Sequence, residues 1–384
     1  MEIVRLKKEN YDELIALMNK VFSIQNKKEM DFEKDLPKMC IRDDEHVGKH
    51  FGIFEDGKLV SAVGIYPLPI NIAGKKLLFS TVGNVVTDPD YEGRGYMSAL
   101  LECAMQELER IGADASRLSG LRQRYNRFGY ELCGTRYVVT FSAHNHKKRF
   151  PGVGEGVSFQ RIEREDTALL QAAWKLHQES KVSVERGEKN GYEDAYLAMT
   201  AWRSIPYAAF KDGRMIGYLC VNERGDTLFE NYAVDTEAFA QMICAWQTRY
   251  GATIYFYLTP YEEQNVRLFF ERAETVIVKS PSHFKIINWE GVTDALMKLK
   301  ATYTDMADGE VRIAIKDYGV LRLYVNGENV GCERIEGDAD LVLDRLQAAR
   351  YLFGPLPPAY TACAARVARD WLPLPLSWNH LDRV

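Results

Sequence analysis

The residues with the clearest chemical potential lie in one short passage, 85–98, around Gly93-Arg94-Gly95. An apolar strand leads into this passage and an amphipathic helix begins near Tyr96. Glycines let a backbone approach a ligand closely, and a helix N-terminus presents unpaired N–H groups and the positive end of its dipole. The arrangement predicts a pyrophosphate site, to which Arg94 adds positive charge. A tight turn before an ordinary helix is the alternative interpretation.

Two other phosphate-binding motifs do not fit these residues. The chain contains no G-x-x-x-x-G-K-[ST] sequence, and Ser98 stands where G-x-G-x-x-G requires its third glycine. Nucleotide hydrolysis and dinucleotide redox chemistry are therefore disfavoured.

The elements around the loop predict a mixed α/β domain. Two apolar runs, 52–54 and 59–66, flank Glu55-Asp56-Gly57-Lys58, and an Asp-Gly step between strands is a strong hairpin signal. A third strand is predicted at 76–86. Apolar residues spaced by three and four predict a helix over 97–111.

A similar but less distinct order of strands and helix follows the glycine-rich linker at 147–157. A second Asp-Gly hairpin, a strand ending at Val234, a helix over 236–249 and another strand repeat the pattern, without a glycine after Val234. From Trp289 onward, strands with an Asn-Gly turn and a helix over 339–347 are predicted, followed by an apolar, proline-spaced tail expected to pack inward. The predicted domains are 1–146, 147–287 and 288–384.

Composition limits the class of protein. The 384 residues are 46% apolar and 27% charged, as in globular domains, and the net charge of −5 offers no basic field for nucleic acid. The charged amino terminus lacks a signal peptide's apolar core and no stretch is long enough for a membrane span, so we expect a cytoplasmic protein. Seven scattered cysteines predict reduced thiols, and no spacing of histidines and cysteines predicts a metal site.

The strand, glycine loop and helix resemble the acetyl-CoA motif of the GNAT superfamily of N-acetyltransferases. That family's pattern is Q/R-x-x-G-x-G/A, and this sequence departs from it with Glu92 at the first position and Met97 at the last. A bulky residue at the last position is typical of the enhanced intracellular survival (Eis) subgroup.

The resemblance to the Eis subgroup extends over nearly the whole chain. It implies an α/β (α+β) fold of tandem GNAT-like mixed-sheet domains, the second lacking the loop, followed by a domain like sterol carrier protein. Tyr125-Asn126-Arg127-Phe128-Gly129-Tyr130 also resembles the subgroup's Y-x-R-F-G-Y motif. Acetyl-CoA is the implied co-substrate, and self-association, often as a hexamer, is the implied assembly.

The resemblance also implies catalytic roles. Tyr125 would be the general acid that protonates the departing CoA thiolate, which suits a phenol at neutral pH. Many GNAT enzymes carry a glutamate on the strand before the loop, but 81–85 contains none. Eis-type enzymes are thought to use the chain's own terminal carboxylate as base, which here is that of Val384. A solvated, frayed terminus is the alternative.

For the co-substrate, we expect the backbones of Val85, Val86 and Thr87 to pair with the pantetheine amides. The pyrophosphate is expected at the loop, and two further residues are expected across the cleft. The loop residues are Gly93, Arg94, Gly95, Tyr96, Met97 and Ser98, and the residues across the cleft are Ser119 and Gly120.

Two function classes stay open at this point. The first is an enzyme that acetylates a primary amine, with a small cationic amine, an aminoglycoside-like compound or a protein lysine as acceptor. The second is a catalytically inactive GNAT scaffold that binds an apolar ligand or a protein partner, for which Glu92 and Met97 are the motivation.

Overall fold

The fold is that of a computed structural model, which describes residues 2–186, 192–355 and 366–382. The amino-terminal elements are β1 (Ile3–Arg5), α1 (Tyr11–Asn26), α2 (Phe32–Asp35), α3 (Asp44–Val47), β2 (His50–Glu55), β3 (Lys58–Ile72), β4 (Lys75–Thr87), α4 (Tyr96–Arg110), β5 (Ala115–Leu118), α5 (Arg122–Tyr125) and β6 (Glu131–Cys133). The middle elements are β7 (Arg136–Phe141), α6 (Ala143–Arg149), β8 (Ser158–Arg161), α7 (Thr167–Gln178), β9 (Val182–Val184), α8 (Tyr192–Met199), β10 (Ile205–Lys211), β11 (Arg214–Val221), β12 (Thr227–Ala233), α9 (Thr236–Tyr250), β13 (Ile254–Leu258), α10 (Glu263–Phe270) and β14 (Thr275–Lys279). The last elements are β15 (Ser282–Ile286), α11 (Trp289–Ala301), β16 (Gly309–Ile315), β17 (Gly319–Asn326), β18 (Asn329–Ile335), β19 (Leu341–Leu343), α12 (Arg345–Phe353) and α13 (Val367–Trp371).

The strands form three sheets. The first has the order β1-β2-β3-β4-β5-β15-β6, with β9 paired to β3; the second is β14-β7-β13-β12-β11-β10-β8; the third is β18-β17-β16-β19. Each sheet is mixed, because β4/β5, β12/β13 and β16/β19 are parallel pairs among antiparallel ones. The predicted fold class, mixed α/β sheets in tandem, is confirmed.

Three strands lie in a sheet other than the one that their position in the chain suggests. One is β9, which stands between β8 and β10 in sequence but pairs with β3 of the first sheet. Strand β7 lies between β14 and β13 of the second sheet, and β15 lies between β5 and β6 of the first. The predicted boundaries at 146 and 287 place each of these strands with the other sheet. Local periodicity identifies a strand but not its partner, since pairing depends on contacts distant in sequence.

Helices on both faces of the first sheet fix the position of the glycine loop. On one face α4 contributes Leu100 and Leu101 to a core shared with Val82, and on the other α1 contributes Leu14 to a core shared with Val86. Both cores include β4 residues, so the end of β4 and the start of α4 are held together by buried apolar surface.

The second sheet repeats this order with β12, a turn and α9, whose Phe239 and Ile243 are buried. The turn itself differs. Asp235 caps α9 by accepting a hydrogen bond from the Ala238 amide at 2.8 Å. A side-chain carboxylate of the chain thus satisfies the N-terminus of this helix.

The third sheet and α11 share a core with the tail that follows α13. Leu374, Leu376 and Trp378 are buried, so the tail packs inward as expected. The helix predicted at 339–347 begins later, at Arg345, because Asp344 caps it through the Gln347 amide and 341–343 pair with β16 instead. Among the described helices, none is long and apolar enough to cross a membrane.

Candidate active site

A groove opens where β4 and β5 separate. The two strands pair only from Phe79 to Thr81 on β4, and β4 then continues to Thr87 with no described strand on that side. The resulting cleft of about 850 Å³ runs past the far end of β5 to Tyr125. A neighbouring cavity of about 400 Å³ covers the glycine loop. Gln25, Val85 and Arg124 line both, so the two form one continuous groove.

The loop end of the groove is an open helix N-terminus. Gly93 and Gly95 have φ of +77° and +82°, in the left-handed region that favours glycine. Gly95 is the N-cap of α4 and contributes no side-chain hydrogen bond. The first amide groups of α4 therefore face the cavity without a side-chain cap, as an anion site requires.

Asp88 holds the loop to the sheet. Its buried carboxylate accepts hydrogen bonds from Lys20 Nζ at 2.7 Å and Lys58 Nζ at 2.9 Å. Burial acts to raise the pKa of Asp88, but the two ammonium groups and the Asp90 amide outweigh it and hold the pKa at about 2. The carboxylate is thus ionised at neutral pH and fixes the turn from β4 into the loop.

Three arginines lie near the anion site. Arg94 stacks on the Tyr91 ring at 4.8 Å, and Arg127 donates to Ser98 Oγ at 2.5 Å. Arg124 lines both parts of the groove. Arg94 was predicted from the sequence and Arg124 was not, although the position of Arg124 next to Tyr125 was a usable signal.

Tyr125 ends α5 and lines the main cleft with only 5% of its surface exposed. Burial raises the pKa of its hydroxyl, so the phenol is protonated at neutral pH. Gly120 lies directly beneath the ring, because a Cβ there would approach Tyr125 Cε2 to 2.5 Å. Ser119 also lines the cleft, and its hydroxyl lies 3.4 Å from Ser282 Oγ.

A buried polar chain supports the open end of β4. Asn84 has φ of +50° where the β3/β4 register is irregular, and its Nδ2 donates to Tyr66 Oη at 2.5 Å. Tyr66 Oη lies 2.7 Å from Nε2 of His50, whose pKa is lowered to about 4 by burial. A neutral His50 accepts from the Tyr66 hydroxyl and donates through Nδ1 to the Val47 carbonyl, 3.2 Å away. Sequence analysis did not identify this chain.

Most sequence-predicted site residues line the groove. Val86 is the exception: it is buried, and its carbonyl accepts a hydrogen bond from Ser61 Oγ at 2.8 Å on the β3 side. Val384 lies outside the described residues. The lining residues from the prediction are Val85, Thr87, Gly93, Arg94, Gly95, Tyr96, Met97, Ser98, Ser119, Gly120 and Tyr125.

The two departures from the GNAT pattern differ in environment. Glu92 is exposed on the loop, whereas Met97 packs against the core beneath α4. Met97 is therefore half-buried, packed against the core and also part of the lining of the cavity over the loop. Within the described residues, no cluster of histidine, cysteine or acidic side chains is arranged to hold a metal ion.

Comparison with protein families gives a match for the amino-terminal part of the chain. Residues 2–133 match the model of the acetyltransferase (GNAT) domain. No curated protein matches the chain in sequence.

Solved structures share the fold over almost the full length. Eis1 from Mycobacterium abscessus is 13% identical, with a TM-score of 0.65 over 99% of this chain and 98% of that one. A GCN5-related N-acetyltransferase from Anabaena variabilis ATCC 29413 is 13% identical, with a TM-score of 0.67 over 98% of both chains. A probable N-acyltransferase from Enterococcus faecalis V583 is 15% identical, with a TM-score of 0.63 over 89% of this chain and 87% of that one. At such low identities the likeness establishes the fold.

Proposed function

We propose that this chain transfers acetyl from acetyl-CoA to a primary amine in front of Tyr125. The proposal proceeds from two premises: residues 2–133 form a GNAT acetyltransferase domain, and the chain is an N-acetyltransferase. The observation that carries the proposal is the continuous groove itself. It joins an open helix N-terminus, an unpaired strand end and a protonated phenol. These are the three features that a pyrophosphate, a pantetheine arm and a departing thiolate require.

In the proposed reaction each part of the groove has one task. The α4 amides and Arg124 bind the pyrophosphate, and the free edge of β4 at Val85 and Thr87 aligns the pantetheine arm. The amine nitrogen attacks the thioester carbonyl carbon, a C–N bond forms and the C–S bond breaks. Tyr125 donates its hydroxyl proton to the departing sulfur.

The proton lost by the amine needs a base. Among the described residues that line the main cleft there is no carboxylate and no histidine. We assign the base to the terminal carboxylate of Val384, acting directly or through water, as the Eis-type resemblance implies. In support, Lys38 Nζ donates to the carbonyl of Leu381 from the segment after α2, and Phe32 of α2 lines the cleft.

The lining also favours one type of acceptor. Phe22, Met30 and Trp202 form an apolar wall, and the charged lining residues described are the cations Lys28 and Arg124. A polycation such as an aminoglycoside would meet like charge there. An amine carried by an apolar, neutral body suits the cleft better than a polyamine does.

The test is CoA release from acetyl-CoA over an amine panel. We expect turnover with arylalkylamines and long alkylamines to exceed that with spermidine or an aminoglycoside. A preference for polycations would contradict the acceptor class. If no amine supports turnover although acetyl-CoA binds, the proposed reaction fails and the alternative, an inactive GNAT scaffold, takes its place.

A second arm tests the base. The native chain is compared with one extended by several residues beyond Val384. We expect the extension to abolish turnover while acetyl-CoA binding persists, and equal turnover would place the base elsewhere.

The cytoplasmic location expected from the sequence stays a proposal. Two further properties rest on the Eis-type resemblance: self-association, and a sterol-carrier-like character of the third domain. For the first, we expect light scattering to give a multiple of the 43.9 kDa chain mass, as in a hexamer. A monomeric mass would contradict it.

A further inference from the structure

The second sheet contains a cleft that forms in the same way as the active-site groove, by the separation of two parallel strands. Strands β12 and β13 pair in parallel at only two positions, Thr227 with Tyr255 and Leu228 with Phe256. Strand β12 then continues to Ala233 while the two strands diverge. This gap corresponds to the one between β4 and β5 in which the pantetheine arm is proposed to lie.

The C-terminal tail occupies this second gap. The His380 ring stacks on Phe229 of β12 at 4.9 Å and lies 5.3 Å from the Tyr257 ring of β13. His380 Nδ1 accepts a hydrogen bond from Arg136 Nη1 at 3.0 Å. Tyr261 Oη donates to the Ser377 carbonyl at 3.1 Å. The remaining cavity is about 250 Å³, so the tail fills much of the gap.

An ion cluster fixes the end of the tail. Arg186 donates to Asp382 Oδ1 at 2.6 Å, and to the two carboxylate oxygens of Glu230 at 2.9 Å and 2.5 Å. Tyr218 donates to the same Glu230 carboxylate. All four side chains are buried, and a buried ion pair is costly to break by removal of one partner. The last described residue, Asp382, is therefore held in one position.

The tail also reaches the first sheet on its way to the gap. Trp378 packs edge-on against Phe79 and Phe284, with ring distances of 5.3 Å and 5.2 Å. Beyond it, the Leu381 carbonyl accepts from Lys38, which follows α2 of the first domain. The tail thus bridges the two sheets immediately before the last two residues of the chain.

We infer that the gap between β12 and β13 is a seat for the C-terminal tail, and that Phe229, Tyr257, Arg186 and Glu230 are positioning residues for acetyl transfer in the other cleft. The second domain would then contribute to catalysis without binding a co-substrate of its own. The inference rests on the proposed function insofar as the terminal carboxylate acts as base there. The seat itself is tested separately.

The experiment uses full-length variants of the seat and of the tail. Phe229→Ala removes one wall of the seat and leaves the tail sequence unchanged; its matched control is Phe159→Ala, a half-buried phenylalanine on β8 of the same sheet. Asp382→Asn leaves Arg186 paired with Glu230, so the remaining cluster is neutral and folding is expected to survive. Its control is Asp370→Asn, an exposed aspartate before the tail.

Two readouts are taken on each variant: the release of C-terminal amino acids by a carboxypeptidase, and kcat and KM for acetyl transfer. In the native chain we expect release to stop before Asp382, which the ion cluster holds. Phe229→Ala and Asp382→Asn are expected to release the tail faster than their controls, and to lower kcat on the order of 10–100-fold with the KM for acetyl-CoA nearly unchanged.

The outcomes separate the two ideas. Unchanged release in both variants would refute the seat. Faster release with kcat equal to that of the controls would refute the positioning role while retaining the seat. If the native chain shows no turnover with any amine, the proposed function fails, and the release measurement still decides whether the seat exists.

Discussion

The two clefts share the same strand geometry and differ at the helix N-terminus and in what lies between the strands. In each, a parallel pair separates after two or three residues and the longer strand leads through a turn into a helix. In the first, the turn residue Gly95 leaves the helix amides open. In the second, the Asp235 carboxylate caps the helix, and the chain's own tail lies between the strands.

The difference between the two turns indicates which helix N-terminus is open to an anionic ligand. A helix N-terminus attracts an anion, and a capping carboxylate is itself an anion at that place. Asp235 therefore satisfies one of the amides that a pyrophosphate would need, and its negative charge opposes a second anion there. The shape of the fold persists in both copies, while a few residues at the turn and in the groove decide what each copy can hold.

The largest effect is expected from a substitution that removes a reacting group from the first cleft and leaves the second cleft unchanged. Tyr125→Phe removes the proposed proton donor and is expected to lower kcat by about 10²–10⁴-fold, with acetyl-CoA affinity retained. Steady-state kinetics and calorimetric binding measure the two quantities. Tyr130→Phe is the control, since its hydroxyl lies 2.7 Å from Ser116 Oγ in the core; it is expected to cost about 1 kcal/mol of stability and little activity. Equal kcat for both variants would contradict the assigned role.

A second substitution makes the turn before α4 resemble the turn before α9. Gly95→Asp places a carboxylate at the N-cap of α4, at a φ of +82° that costs a non-glycine residue roughly 1–2 kcal/mol. Strain and charge repulsion together are expected to weaken acetyl-CoA binding by about 100-fold or more, as measured by calorimetry. Gly95→Asn has nearly the same shape without the charge and is expected to bind more tightly than Gly95→Asp. If the two variants bind equally, charge at this position does not matter.

The reverse substitution, at the turn before α9, is expected to have a smaller effect. Asp235→Ala removes the cap of α9, which is expected to lower the free energy of unfolding by about 0.5–2 kcal/mol, as measured by urea denaturation. Acetyl-CoA binding should stay at one molecule per chain, because the tail still fills the second gap. Two bound molecules per chain would show that the cap alone excludes the co-substrate.

The smallest effect concerns the anchor of the glycine loop. The pKa of Asp88 is about 2 in the folded protein against an ordinary 3.8, so its stabilising contribution is present above about pH 4 and is lost as the pH falls toward 2. The stability difference between the native chain and Asp88→Asn should therefore shrink between pH 7 and pH 3 in urea denaturation. A difference that does not change with pH would show that the carboxylate charge has no part in holding the loop.

Much of the site's local structure was predictable from short-range signals. The Asp-Gly step at 56–57 predicts the hairpin, and the apolar stripe predicts α4 within one residue at each end. The second strand of the hairpin runs six residues further than predicted, to Ile72. The glycine loop between the hairpin and the helix follows from residue type alone. Asn84 was not predictable, because its buried partners Tyr66 and His50 lie 18 and 34 positions away and give no periodic signal.

The sequence by itself determined the order of the elements, the open turn at Gly93 and Gly95, and the glycine-free turn after Val234, since these depend on residues adjacent in the chain. The tertiary structure decided that β7 and β15 lie in the neighbouring sheets and that His380 meets Phe229 and Tyr257. Such contacts join residues more than a hundred positions apart, and only packing of the whole chain selects them from the many alternatives that local patterns allow.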